Sequence, residues 1–267
     1  MKYINKKNIL VGFLSMFLAT IFAQQIEIKT PTNSQFTTDK LGNIIVFSPN
    51  NDIIKYDKTG KILANTNIKV FGNIASVDAS NPFEIYVFYA DQNKLLLLDN
   101  LLNQMAIIDL EYLQISQIAC LSRSFDNQIW LFDAADFSLK KYSKDLKLML
   151  ESASFSVLPI VGNIFPTTIA DYNPNIFILN KGSILQFDIF GNFYKTVLTD
   201  SVENFQINDE KIFYLKQEKI FFFDPKNFTA SLIFSDKQLK IKSFRIEKET
   251  LYILTDEFVI LQPLKKD

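Results

Sequence analysis

The chain has 267 residues, 48% of them hydrophobic, and a formal charge of −1 at pH 7. That is enough apolar material for a packed core. The near-neutral, interspersed charge removes the electrostatic case for nucleic acid, which needs a strongly basic face. The sequence holds no histidine, which excludes Ser-His-Asp and Cys-His catalysis, histidine zinc sites and imidazole acid–base chemistry. It also has no Walker-type phosphate loop and no G-x-G-x-x-G.

In chain order, Lys2, Lys6 and Lys7 precede an apolar run at Ile9–Ala23, ILVGFLSMFLATIFA, which ends on a small residue. A basic start, a short apolar run and a small residue predict a secretory signal peptide over residues 1–23. The run is shorter than the about 20 residues of a membrane span. The expectation is therefore an exported chain, in the periplasm or at the cell surface, with no transmembrane span after cleavage. Next comes Gln24–Lys29, QQIEIK, which alternates apolar and polar residues as a half-buried strand does.

From Phe36 the chain writes FTTDKLGNIIVFSPNNDIIKYDKTGKIL and then repeats looser versions of that line. A short apolar strand recurs as IIVF at Ile44, IYVF at Ile85, IWLF at Ile129, IFIL at Ile176, IFYL at Ile212 and LYIL at Leu251. Each is followed by a turn and a second apolar strand, then a further turn and a third strand, and each is preceded by one more strand. Four short strands in roughly 40 residues describe a propeller blade. The recurring strands are apolar on both faces, as expected of sheets covered on both sides by neighbours. The prediction is all-β: a single six-bladed β-propeller over residues 24–267, with four-stranded antiparallel blades. Only Gln262–Asp267 follow the sixth repeat, too few for an outer strand, so Gln24–Lys29 is predicted to pair with Val259–Leu261 and close the ring.

The segment TDKLGNIIVFSPNNDIIKYDKTGKIL resembles the NHL-type propeller repeat, matching it at Asp39, Gly42, Asn43, Asn50, Asn51, Tyr56, Asp57 and Gly60. Later repeats match through fewer positions, such as Asp171, Asp188 and Gly191. The resemblance implies a binding platform, although some relatives are metal-dependent lyases or lactonases. The lyases hold their metal with histidine, so that activity does not carry over. Lactonase-like relatives use Asp, Glu and Asn oxygens near the channel.

The candidate residues follow from this frame. Asp39, Asp78, Asp171, Asn208 and Glu247 end the first strand of five blades. They are placed either to cap the following turn or to line one channel mouth. Arg123 and Arg245 are the only arginines, each six residues before its blade's recurring strand. They fit either structural ion pairs or planar donors for a carboxylate. Arg123, Arg245, Asp78, Asp171 and Glu247 are therefore the candidate partner-binding positions. Cys120, the sole cysteine, has no disulfide partner and reads as a buried, inert thiol. The apolar stretch FSVLPIVGNIFPT at Phe155–Thr167 reads either as a long loop packed on the rim or as a docking patch.

The expected function is that of an exported, non-enzymatic binding or scaffold module without a cofactor. It would engage an envelope protein or glycan through one rim, as a monomer or as a subunit of a larger assembly. The alternative is a cation-dependent hydrolase or lactonase using channel carboxylates.

Overall fold

The computed structural model describes residues 26–160 and 164–264; the expected signal peptide at residues 1–23 lies outside them. Turn residues arrive every few positions, so the chain folds into short strands, each paired with the next in sequence. Blade one is β2 (Gln35–Thr38), β3 (Ile44–Phe47), β4 (Asp52–Tyr56) and β5 (Ile62–Asn67). Blade two is β6 (Ser76–Asp78), β7 (Ile85–Tyr89), β8 (Lys94–Leu98) and β9 (Gln104–Asp109). Blade three is β10 (Ile118–Arg123), β11 (Ile129–Asp133), β12 (Ser138–Tyr142) and β13 (Leu148–Glu151). Blade four is β14 (Pro166–Tyr172), β15 (Asn175–Asn180), β16 (Ser183–Asp188) and β17 (Phe193–Thr199). Blade five is β18 (Asn204–Asn208), β19 (Lys211–Lys216), β20 (Lys219–Asp224) and β21 (Thr229–Ser235). Blade six joins β22 (Ser243–Glu247), β23 (Thr250–Leu254) and β24 (Phe258–Pro263) to β1 (Ile26–Lys29), its outermost strand.

The six antiparallel four-stranded sheets stand as a propeller, as the repeat predicts. Ring closure follows the predicted pairing, with Ile26 opposite Leu261, Glu27 opposite Ile260 and Ile28 opposite Val259.

The burial pattern gives the reason for the architecture. Every residue of β3, β7 and β11 is buried, because each second strand is covered on both faces by the adjacent blades. The outermost strands β5, β9 and β13 alternate weakly and stay largely exposed. Six apolar clusters fill the six junctions between blades. One packs Ile45, Phe47 and Ile53 of blade one against Val77, Ile85 and Val87 of blade two. Another packs Ile28, Tyr252, Val259 and Leu261 of blade six against Phe36, Ile44, Val46 and Tyr56 of blade one, so the closing junction has a core like the others. Burying each such side chain contributes about 1.5–3 kcal/mol.

The long connection between blades three and four is explained at its start. Phe155 is buried, its ring 4.9 Å from those of both Phe132 and Phe187, and it wedges blade three against blade four. The rim-packing expectation thus holds for Phe155, whereas Val157 and Phe165 are exposed. Residues 161–163 lie outside the described residues. Cys120 is buried, and burial pushes its thiol pKa up to about 12, as expected of an inert thiol. Among the described residues no helix is long and apolar enough to cross a membrane.

Candidate functional site

The innermost strands β2, β6, β10, β14, β18 and β22 surround a channel cavity of about 1050 Å3. They run parallel, since their C-terminal ends meet around the ring. Asp78 at the end of β6 accepts from the Arg123 N–H at the end of β10, and Glu247 at the end of β22 accepts from the Thr38 hydroxyl at the end of β2. The turns between first and second strands, and between third and fourth, therefore all lie on one rim.

All five candidate residues line this cavity. Each first strand has one edge paired in its blade and one edge toward the channel, where backbone groups need partners. Side chains of neighbouring blades supply several. Asp78 Oδ2 accepts from the Arg123 N–H at 2.8 Å and the Ser122 hydroxyl at 3.0 Å. Gln206 imitates a strand neighbour, accepting from the Ile246 N–H at 2.7 Å and donating to the Ile246 carbonyl at 2.8 Å. Asp171 Oδ2 accepts from Trp130 Nε1 at 2.9 Å and the Phe125 N–H at 3.2 Å.

The turn-capping expectation needs correction at two of these positions. Asp39 caps its turn, accepting from the N–H groups of Leu41 and Asn43, and Asp78 does so through Ser80. Asp171 and Glu247 instead bond across blade junctions. Asp171 reaches back to blade three, and Glu247 reaches forward to Thr38 of blade one. Burial pushes both carboxyl pKa values up, and the buried Asp171 Oδ1 has no hydrogen-bond partner.

The two arginines sit in opposite blades and differ in kind. Arg123 is buried in a structural ion pair: Nη1 meets Glu84 Oε1 at 2.8 Å, Nη2 bonds the Glu84 carbonyl, and the guanidinium stacks 3.8 Å above the Tyr86 ring. Burial opposes ionisation of Glu84, but Lys144 and Arg123 together hold its carboxyl below the usual range. Arg245 uses only Nη1, toward Asn204 Oδ1 at 3.0 Å and the Phe244 carbonyl at 2.9 Å. Burial pulls its pKa down, opposed by the charges of Glu247 and Asp78. Among the described residues no group of three or more His, Cys, Asp or Glu is placed to hold a metal ion.

Sequence reasoning missed an apolar crown on the same rim. Leu41, Phe83, Leu101, Phe125, Phe190 and Phe228 come from turns of five blades and are between 54% and 71% exposed. Four share one construction: an Asp or Asn side chain two residues earlier accepts the N–H of Leu41, Phe83, Leu101 or Phe190 at 2.8–3.0 Å. The bond fixes the turn and leaves the apolar side chain outside it. The signal was present as D-x-L or D-x-F at Asp39, Asp99 and Asp188. The opposite rim also exposes Val70, Tyr112, Val157 and Phe165, on connections that share no common turn.

No family model matches the chain, and no curated protein does. Solved structures do. A streptogramin B lyase aligns at a TM-score of 0.63 and 12% identity, covering 90% of this chain and 98% of that one. A catalytically inactive His-to-Ala form of virginiamycin B lyase from Staphylococcus aureus, with quinupristin, aligns at 0.60 and 12%, covering 89% and 99%. The Pan2 WD40 domain of Neurospora crassa aligns at 0.56 and 12%, covering 87% and 75%. At this identity the likeness is one of fold: the chain is a β-propeller.

Proposed function

We propose that the chain is an exported, non-enzymatic binding propeller that engages a protein or glycan of the cell envelope through the rim where its first strands end. The observation that carries the reading is the crown. Solvent-exposed apolar side chains on pre-formed turns lose little entropy on contact, and a ring of them around a polar channel mouth gives an apolar contact zone with a specific centre. The NHL-type resemblance of the first repeat supports a platform role. The likeness to a lyase does not bring its chemistry with it. The inactive form of that neighbour lacks one histidine, and this chain has none. Asp78, Asp171 and Glu247 bond across blade junctions, and among the described residues no three acidic groups converge.

The test is capture from the native envelope fraction with the purified propeller as bait. Leu41→Ser, Leu101→Ser and Phe190→Ser combined should leave the melting temperature within a few degrees of wild type, since these side chains are already in water. The triple variant should lose the captured partner. Equal capture by wild type and triple variant would overturn the use of this rim.

A further inference from the structure

The geometry points to a carboxylate-binding site inside the channel, in which Arg245 presents Nε–H and Nη2–H side by side to a ligand carboxylate. Three observations meet there. Arg245 lines the cavity, and its Nη1 is held by the neutral oxygens of Asn204 and Phe244, which fixes the guanidinium plane. Among the described residues Nε and Nη2 have no partner, and no carboxylate lies within ion-pair distance of the group. The chain's other arginine differs in that Glu84 closes its ion pair, although its Nε also has no hydrogen-bond partner.

A guanidinium partly removed from water gains most from a bidentate anion, and the planar fork matches a carboxylate. The neighbouring charges select the anion class. Glu247 and Asp78 add negative charge near Arg245, so a singly charged carboxylate is repelled less there than a doubly charged phosphate. The carboxylate has two possible sources, an acidic side chain of the docked partner or a free small acid. The first source rests on the docking reading above; the site itself does not.

With only two arginines, arginine-selective 15N labelling of the full chain gives two side-chain Nε–H signals, assigned by Arg245→Lys or, should that variant not fold, by Arg123→Lys. Butyrate is the probe and neutral butyramide its control. The Arg245 signal should shift saturably with butyrate, with half-saturation below about 10 mM. It should not move with butyramide, and the Arg123 signal should stay in place. An unmoved Arg245 signal, or equal shifts with butyramide, would overturn the site. Capture from the envelope fraction by Arg245→Lys then separates the sources. Lost capture assigns the carboxylate to the partner, and retained capture assigns it to a free acid. The butyrate titration needs no partner, so its failure is distinct from a failure of the docking reading.

Discussion

Lys55 and Asp39 show how far this fold commits individual residues. The Lys55 ammonium lies 3.1 Å from Asp39 Oδ2, with the two side chains 2% and 0% exposed. It also donates to the Asn100 carbonyl of the next blade at 3.2 Å. Asp39 meanwhile accepts from the Leu41 and Asn43 N–H groups and from Asn43 Nδ2. A buried pair of this kind is a weak stabiliser as a pair, but either half alone is costly. Lys55→Met keeps the length of the side chain and strips the counter-charge, and should cost about 3–5 kcal/mol in urea denaturation. Adding Asp39→Asn should recover part of that loss, and the cycle should show a coupling of about 1 kcal/mol or more. Strictly additive costs would mean that the two charges do not interact. The aspartate's turn role was readable from D-K-L-G-N. The lysine's burial was not, because its carbonyl partner comes from a different blade, 45 residues away.

At the scale of elements, one turn recurs with different residues. Asp39, Asp99 and Asp188 each accept the N–H groups two and four residues on, and an Asn side chain four residues on donates back to each. The fourth residue of the turn takes positive φ: Gly42 at 89°, Leu102 at 63° and Gly191 at 79°. Asp188→Ala leaves two turn N–H groups to water and should cost about 1 kcal/mol, while Asp188→Asn, which can still accept, should cost less. Burial opposes ionisation of Asp188, yet its hydrogen bonds hold the carboxyl below the usual range. A depressed folded-state pKa contributes stability above the unfolded value and loses it as pH falls through the folded one. The gap between wild type and Asp188→Ala should therefore be full at neutral pH and shrink in acid. A gap independent of pH would place the effect in the backbone. This repeating chemistry made the turns, the second strands and the blade count legible in the sequence. The first strands were less so: β6 is only three residues long, and its identity depends on the channel rather than on local pattern. The candidate site divided the same way. The strand-end positions of Asp78, Asp171 and Glu247 could be read, but their bonds to neighbouring blades, and the different states of the two arginines, depend on blades meeting across the ring.

At the scale of the molecule, every junction between blades holds an apolar cluster, so the weak point of the ring is the seam where the first described strand meets the last. That seam lies inside blade six, where β1 pairs with β24 over four residues and no disulfide reinforces it. Ile28 is 5% exposed and packs with Phe36, Tyr56, Val259 and Leu261. Without β1, the β24 edge would present unpaired backbone groups, and Tyr56 and Leu261 would lose cover. Deleting residues up to Thr30 should lower the melting temperature sharply and promote self-association through the open edge. A peptide of residues 24–32, supplied in trans, should restore the melt, because the edge it fits has fixed register; the same peptide with Ile28→Asp should not, since it would bury a charge in an apolar junction. An unchanged melt after the deletion would mean that the other five junctions hold the ring alone, and the closing strand would then serve only to mask an edge.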